Sequence, residues 1–261
     1  MTTETQTEAP ASSHAPPPAA NAPDGSDAPH AEEHHEHPHP AFLAHHFDTP
    51  VQQYDAAKIG MWAFLGQELL FFSGLFVAYG VFRSWHPEAF AAASHELNKT
   101  MGTINTIVLL FSSLTAALAV RASQQGEKDR TTVLLIITIV CAFIFLGVKY
   151  FEYEHKFHLG LLPGRWYGVP RSFPDGAILS GEEVPVLPAG ASAFFSLYFV
   201  MTAVHAIHII VGIGVLIWIL KRNMKGEFSK EFFTPVDNVA LYWHLVDLVW
   251  IYLFPLLYLI D

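Results

Sequence analysis

Five apolar runs, each about 20 residues or longer, dominate this chain: residues 59–82, 102–120, 131–150, 191–220 and 239–260. A helix rising 1.5 Å per residue needs about 20 residues to cross a hydrocarbon core of about 30 Å, so each run is long enough to span a membrane. The run 191–220 exceeds that need and must tilt or project beyond the core. The runs are continuous rather than alternating, which excludes barrel strands. The expected fold class is therefore all-α, a polytopic transmembrane helical bundle with five spans. Composition agrees: 52% of the residues are hydrophobic and 15% charged, where soluble domains average roughly 25% charged. Pro255 falls inside the last run, where a neighbouring helix can cover the carbonyl it frees.

Polar links set the domain organisation. Residues 1–50 read as a disordered acidic tail rich in His and Pro, and residues 51–261 as the five-helix transmembrane domain. Nine of the 24 acidic residues precede Lys58, the first basic residue. A tail of that composition has little apolar area to offset the entropy of ordering, and it lacks the basic start of a secretory signal. His30, His34, His35, His37 and His39 lie among Glu32, Glu33 and Glu36. A loose zinc, copper or nickel site centred on His34, His35, His37 and His39 is the weaker reading of this cluster, and a solvated acidic segment the stronger. Beyond the tail, 14 basic residues face 15 acidic ones. That near balance argues against nucleic acid as a partner, since such a partner needs a basic patch. The single cysteine, Cys141, excludes an internal disulfide framework and a cysteine-based metal centre.

Basic residues in the links predict orientation. Lys58, Arg121, Lys128, Arg130, Lys221, Arg222, Lys225 and Lys230 share the side of the N-terminus. Arg83, Lys99, Lys156, Arg165 and Arg171, with Lys149 at the edge of the third run, share the other. The bias predicts a cytoplasmic N-terminus and, after five spans, an outside C-terminus. The one long link, 151–190, is rich in Pro and Gly and reads as an irregular surface loop.

Polar groups inside the runs are candidate functional residues, because hydrocarbon penalises them. Glu68 lies near the middle of the first run. It reads either as a proton-handling or gating carboxyl or as a neutral carboxyl fastening helices by a hydrogen bond. His205 and His208 are three apart and share a helix face, as do His244 and Asp247. Asn105 lies near the start of the second run, and Glu152 and Glu154 follow the third beside Lys149. His205 and His244 could be imagined as axial haem ligands on facing helices; histidines hydrogen-bonded between helices are the commoner case. Gly66, Ser73, Gly74, Ser112, Ser113, Gly212 and Gly214 permit close helix contact.

Taken together, these strings resemble the third subunit of the haem–copper oxidases, as in cytochrome c oxidase. The resemblance extends from about Gly60 to Tyr258. It rests on Leu65-Gly66-Gln67-Glu68-Leu69-Leu70-Phe71-Phe72, on Asn105-Thr106 leading to Ser112-Ser113, and on Glu152-Tyr153. It rests further on Thr202-Ala203-Val204-His205-Ala206-Ile207-His208 and on Tyr242-Trp243-His244-Leu245-Val246-Asp247-Leu248-Val249-Trp250. Members often have seven helices, and this chain resembles the five-helix bacterial form. Ala203 stands where Gly is usual, and residues 185–192 replace an Asp-Gly-x-Tyr-Gly-Ser stretch.

The resemblance implies a non-redox accessory subunit III of a proton-pumping cytochrome c oxidase in the bacterial cytoplasmic membrane. No residue of this chain is then catalytic and no cofactor belongs to it. Haem and copper reside in partner subunits I and II, and cytochrome c is the substrate of the complex. The subunit packs on subunit I, binds phospholipid in a cleft between helix groups, and supports proton uptake and turnover stability. Glu68, Glu152, His205, His208, His244 and Asp247 match family polar positions that support proton uptake or form interfaces. Asn105, Tyr242, Trp243 and Trp250 are assigned to lipid or helix packing. The same helices would serve a quinol oxidase or the related accessory protein of nitric oxide reductase. From other classes come a stand-alone transporter using Glu68 and a membrane cytochrome with its own haem.

Overall fold

The structure is a computed structural model that describes residues 43–159, 161 and 187–260. The histidine cluster at His34, His35, His37 and His39, the tail before residue 43 and most of the 151–190 link lie outside the described residues. Among the described residues six helices follow in order: α1 (Pro50–Trp85), α2 (Pro87–His95), α3 (Lys99–Gln124), α4 (Lys128–His158), α5 (Ala191–Met224) and α6 (Thr234–Tyr258). All but α2 are long and apolar enough to cross a membrane, so the chain is a multi-pass membrane protein with five spans among the described residues.

Each long helix extends past at least one end of its apolar run, and side-chain caps set the starts of α1 and α3. α1 begins at Pro50, with Thr49 Oγ1 accepting from the Gln52 amide at 3.2 Å and proline in the first turn. α3 begins behind Asn98, whose Oδ1 accepts from the Met101 amide at 3.1 Å. The links after α3 and α5 turn on Gly126 and Gly226, both at positive φ. α2 was absent from the hydropathy reading, since nine residues cannot span a bilayer. It forms because Pro87 starts it and Ala89, Phe90, Ala93 and Ser94 recur at helical spacing, all of them buried.

Helices α3 to α6 pack as neighbours running antiparallel. On the α3–α6 seam, Thr106 meets Trp250 and Ser112 meets Trp243, one partner rising in number as the other falls. Two glycines let backbones approach. A Cβ on Gly102 would lie 2.7 Å from Phe254, and one on Gly212 would lie 2.7 Å from Trp243. Large aromatics fill the interior: Phe145, Phe194, Tyr198, Trp243, Trp250 and Tyr258 are fully buried. α1 leans on α5 and α6 by a narrow stripe, since only Leu65, Phe72 and Tyr79 are buried along it, one every seven residues. At one end of that stripe Lys58 pairs with Asp237 of α6. At the other, Tyr79 Oη donates to the Leu256 carbonyl at 2.5 Å, covering an orphan acceptor of the last turn of α6.

Candidate functional site

α1 meets α5 at the carboxyl that the sequence singles out. Glu68 Oε2 lies 3.0 Å from His208 Nε2, and both side chains are largely buried, at 13% and 18% exposure. The second ring nitrogen, Nδ1, lies 2.8 Å from the carbonyl of Val204 one turn back in α5. A carbonyl only accepts, so Nδ1 carries a hydrogen. In a neutral ring Nε2 is then an acceptor, and the bond to Glu68 requires a proton between them. Either Glu68 is a carboxylic acid donating to imidazole, or imidazolium donates to a carboxylate. In both states the pair holds one proton along the Oε2–Nε2 line. Phe72 stands 5.0 Å from the imidazole and fixes its plane.

The pair forms part of the wall of an apolar groove of about 340 Å³ between α1, α5 and α6. Met61, Phe64, Ile207, Val211 and Val239 line it, with Asn238 and Tyr242 as its other polar contributors. The Tyr242 hydroxyl donates to the His208 carbonyl at 3.0 Å and so ties α6 to the same turn of α5. A narrow apolar trough with one hydrogen-bonding pair suits an acyl chain or another slender apolar group.

A second cluster lies deeper, where α4 meets α6. Lys149 Nζ donates to Glu152 Oε2 at 2.8 Å and to Tyr258 Oη at 2.6 Å, while Tyr258 Oη donates to Glu152 Oε1 at 2.5 Å. The three groups close a ring of hydrogen bonds. The ammonium also lies 4.5 Å from the centre of the Trp250 indole and 5.5 Å from that of Tyr198. Such a cage replaces hydration with aromatic faces and one carboxylate. Glu152 also borders a polar cavity of about 370 Å³ lined by His95, Glu96, Asn98 and His155.

The two pairs that share a helix face divide between different neighbours. His205 is fully buried, stacked on Trp250 at 5.3 Å and met edge-on by Phe145, with neither nitrogen bonded among the described residues. His208 instead turns toward α1. His244 Nδ1 lies 2.7 Å from Ser113 Oγ of α3. Asp247 is buried beside Ser113 and Cys141, and neither carboxylate oxygen is in bonding geometry with a described partner. His205 and His244 therefore engage separate aromatic and hydroxyl partners. Asn105 is fully buried with its amide unpaired among the described residues. Trp243 Nε1 donates to Ser112 Oγ at 2.9 Å, and Trp250 Nε1 to Thr106 Oγ1 at 3.1 Å. Among the described residues no group of three or more His, Cys, Asp or Glu side chains converges as a metal site.

Residues 40–160 and 186–261 match the family described as cytochrome c oxidase subunit III. The chain belongs to the cytochrome c oxidase subunit III family. It is 31% identical over 208 residues to the quinol oxidase subunit 3 of Bacillus subtilis (strain 168), an alignment covering 78% of this chain and 86% of that one. It is likewise 31% identical over 211 residues to the cytochrome c oxidase subunit 3 of Corynebacterium diphtheriae, covering 78% and 88%. A heme-copper oxidase subunit I+III of Aeropyrum pernix is 27% identical over 217 residues, covering 79% of this chain and 23% of that one. Membership in the subunit III family makes this chain a non-catalytic accessory subunit. Lys149, Tyr258 and Ser113, which complete its buried clusters, were only partly legible beforehand. The three-residue spacing of Lys149 and Glu152 marks a helical pair, whereas nothing local joins Tyr258 or Ser113 to its partner.

Proposed function

We propose that this chain is subunit III of a proton-pumping cytochrome c oxidase. It packs on subunit I, holds phospholipid, and supports proton uptake and turnover stability. The observation that carries the reading is the Glu68–His208 pair in the wall of an apolar groove between α1, α5 and α6. An acyl chain fits a trough of that lining, and the pair sets a hydrogen-bonded carboxyl in its wall. Glu152, His205, His244 and Asp247 act as helix-interface groups on this reading, and Asn105, Tyr242, Trp243 and Trp250 as packing groups. Haem, copper and the cytochrome c site belong to subunits I and II. The membrane is the bacterial cytoplasmic membrane, with the N-terminus inside and the C-terminus outside, following the basic residues of the links.

A quinol oxidase is the second reading, favoured by the equal identity to the Bacillus subtilis quinol oxidase subunit. One purification tests both. The complex is captured through a tag on this chain, and its subunits, haem type, phospholipid and electron donor are identified. Oxygen uptake driven by reduced cytochrome c supports the first reading. Uptake driven only by quinol supports the second. Capture of the chain free of any oxidase core sinks both.

A further inference from the structure

We propose that the apolar groove between α1, α5 and α6 takes a phospholipid whose headgroup carries a primary ammonium, with its phosphate at Lys58 and its ammonium at Asp237 and Asn238. The inference rests on the reading above that this chain holds phospholipid, and it names the headgroup and the residues that select it.

The groove has two unlike ends. Met61 of α1 and Asn238 of α6 line one, and Glu68 with His208 the other. Lys58 lies one turn before Met61 on the same side of α1, and Asp237 directly precedes Asn238. Their ion pair therefore stands at the first end and joins α1 to α6 there. Tyr54 lies beside it, with Lys58 Nζ 5.6 Å from the centre of its ring, and the Phe233 ring stands 6.2 Å from that of Tyr54. Aromatic rings and charges meet in this way at a membrane–water interface. Glu68 follows Lys58 by ten residues, about 15 Å by helical rise, or half of a hydrocarbon core of about 30 Å. The groove thus runs from an interface to about the bilayer midplane, the depth of one leaflet. The headgroup belongs at the Lys58 end, because Glu68 and His208 lie at a depth that only an acyl chain reaches.

Charge at that end selects the headgroup. The side chains of Lys58 and Asp237 are 17% and 18% exposed, so both signs reach the surface side by side while their sum is zero. An ammonium has three donors, of which the pair uses one, and the carboxylate has two oxygens, of which it uses Oδ2. Next to them Asn238 Oδ1 is buried with no partner among the described residues. A buried acceptor left unpaired is costly, and a donor from the ligand removes that cost. A zwitterion meets all three groups: its phosphate accepts from Lys58, and its ammonium donates to Asp237 and to Asn238 Oδ1. A headgroup with net negative charge instead meets Asp237 as a like charge, and among the described residues no Lys or Arg lines the groove to offset it. A trimethylated ammonium has no N–H to give to Asn238. The arrangement therefore selects an ethanolamine headgroup over glycerol and choline.

The test uses the assembled complex, captured by a tag on this chain and exchanged in detergent against an equimolar mixture of phosphatidylethanolamine, phosphatidylglycerol and phosphatidylcholine with identical acyl chains. Retained phospholipid is counted by headgroup after washing. Val211 lines the groove, so Val211→Trp fills it, and the lipid lost in that variant is the groove's own. In wild type this share should favour the ethanolamine lipid over each of the others by roughly fivefold or more, about the effect of one hydrogen bond to a charged group at a partly exposed site. Asp237→Asn keeps Lys58 and removes its counter-charge, so the preference should turn to the glycerol lipid. Asn238→Leu should bring the choline lipid level with the ethanolamine lipid and leave both above the glycerol lipid. It also guards against misfolding, because it replaces a buried acceptor that has no partner among the described residues and should melt no lower than wild type. A groove share without headgroup preference, or a preference that neither variant alters, overturns the headgroup site and leaves the phospholipid reading standing. Equal phospholipid retention by wild type and Val211→Trp overturns both the headgroup site and the reading on which it rests.

Discussion

Lys149 Nζ donates to Glu152 Oε2 across 2.8 Å at a point in the bundle where the two side chains are 6% and 2% exposed. Two opposite charges so placed are tolerable only together, because each is the other's replacement for water. Lys149→Met should therefore destabilise the bundle by about 3–5 kcal/mol, since it strands the Glu152 carboxylate. The double variant Lys149→Met/Glu152→Gln should recover most of that loss. Thermal unfolding in detergent, run as a double-mutant cycle, measures both. A double variant no more stable than the Lys149→Met single would contradict the pairing as the source of the effect.

Gly212 and Gly102 mark where helices touch most closely. Gly212→Ala would place a Cβ 2.7 Å from Trp243 and 3.3 Å from Tyr242. Both rings are held by hydrogen bonds, Trp243 to Ser112 and Tyr242 to the His208 carbonyl. They yield little, so the overpacking should cost about 1–3 kcal/mol. Gly214→Ala, two residues on with open space around it, should be neutral or slightly stabilising through helix propensity. The difference in melting temperature between the two alanine variants is the measurement.

Five spans were legible in the sequence because lipid demands a run of apolar residues and the bundle has few ways to hide one. The starts of α1 and α3 were not, since Thr49 and Asn98 set them by hydrogen bonds outside the apolar runs. α2 escaped because nine residues with Phe90 and three buried small side chains give no hydropathy signal. Within the site, Glu68 stood out as a lone carboxyl in a hydrophobic run. Its partner did not, because the three-residue spacing of His205 and His208 suggests a shared role that their surroundings divide. A step of 60° round α5 sends one ring onto Trp250 and the other to Glu68. Which polar residue finds which partner is decided by helix rotation, and rotation is set by aromatic packing across the whole bundle.

Because α1 is held by so narrow a stripe, the polar ties near its two ends, on either side of the Glu68–His208 bond, matter more than their number suggests. Tyr79→Phe removes the bond to the Leu256 carbonyl and should cost about 1 kcal/mol. Lys58→Met leaves Asp237 unpaired near the other end of the stripe. Hydrogen exchange should show faster opening of α1 in both variants and little change in α3 or α4. Uniform acceleration over all helices would mean that α1 is not an independently opening unit.

The Glu68–His208 pair separates a proton carrier from a fastening. Nδ1 of His208 donates to the Val204 carbonyl, so Nε2 needs a donor in the neutral ring. Glu68→Gln supplies one, an amide of nearly the same shape, and it removes the capacity to take up or release a proton. If the pair fastens α1 to α5, the Gln variant should keep oxygen uptake and proton pumping within about twofold of wild type across pH, since the hydrogen bond survives. Glu68→Ala should do worse under either role, because it opens a cavity beside Phe72 and leaves Nε2 without its partner. Its expected signature is a shorter working lifetime during turnover rather than a slow first turnover. Oxygen uptake and proton release are followed in vesicles carrying the assembled complex, with subunit content checked for each variant. An immediate loss of about hundredfold in a fully assembled Gln variant would amount to about 2.7 kcal/mol of barrier. A shape-preserving change at a helix contact does not supply that much, and Glu68 would then be an obligatory proton carrier rather than a fastening.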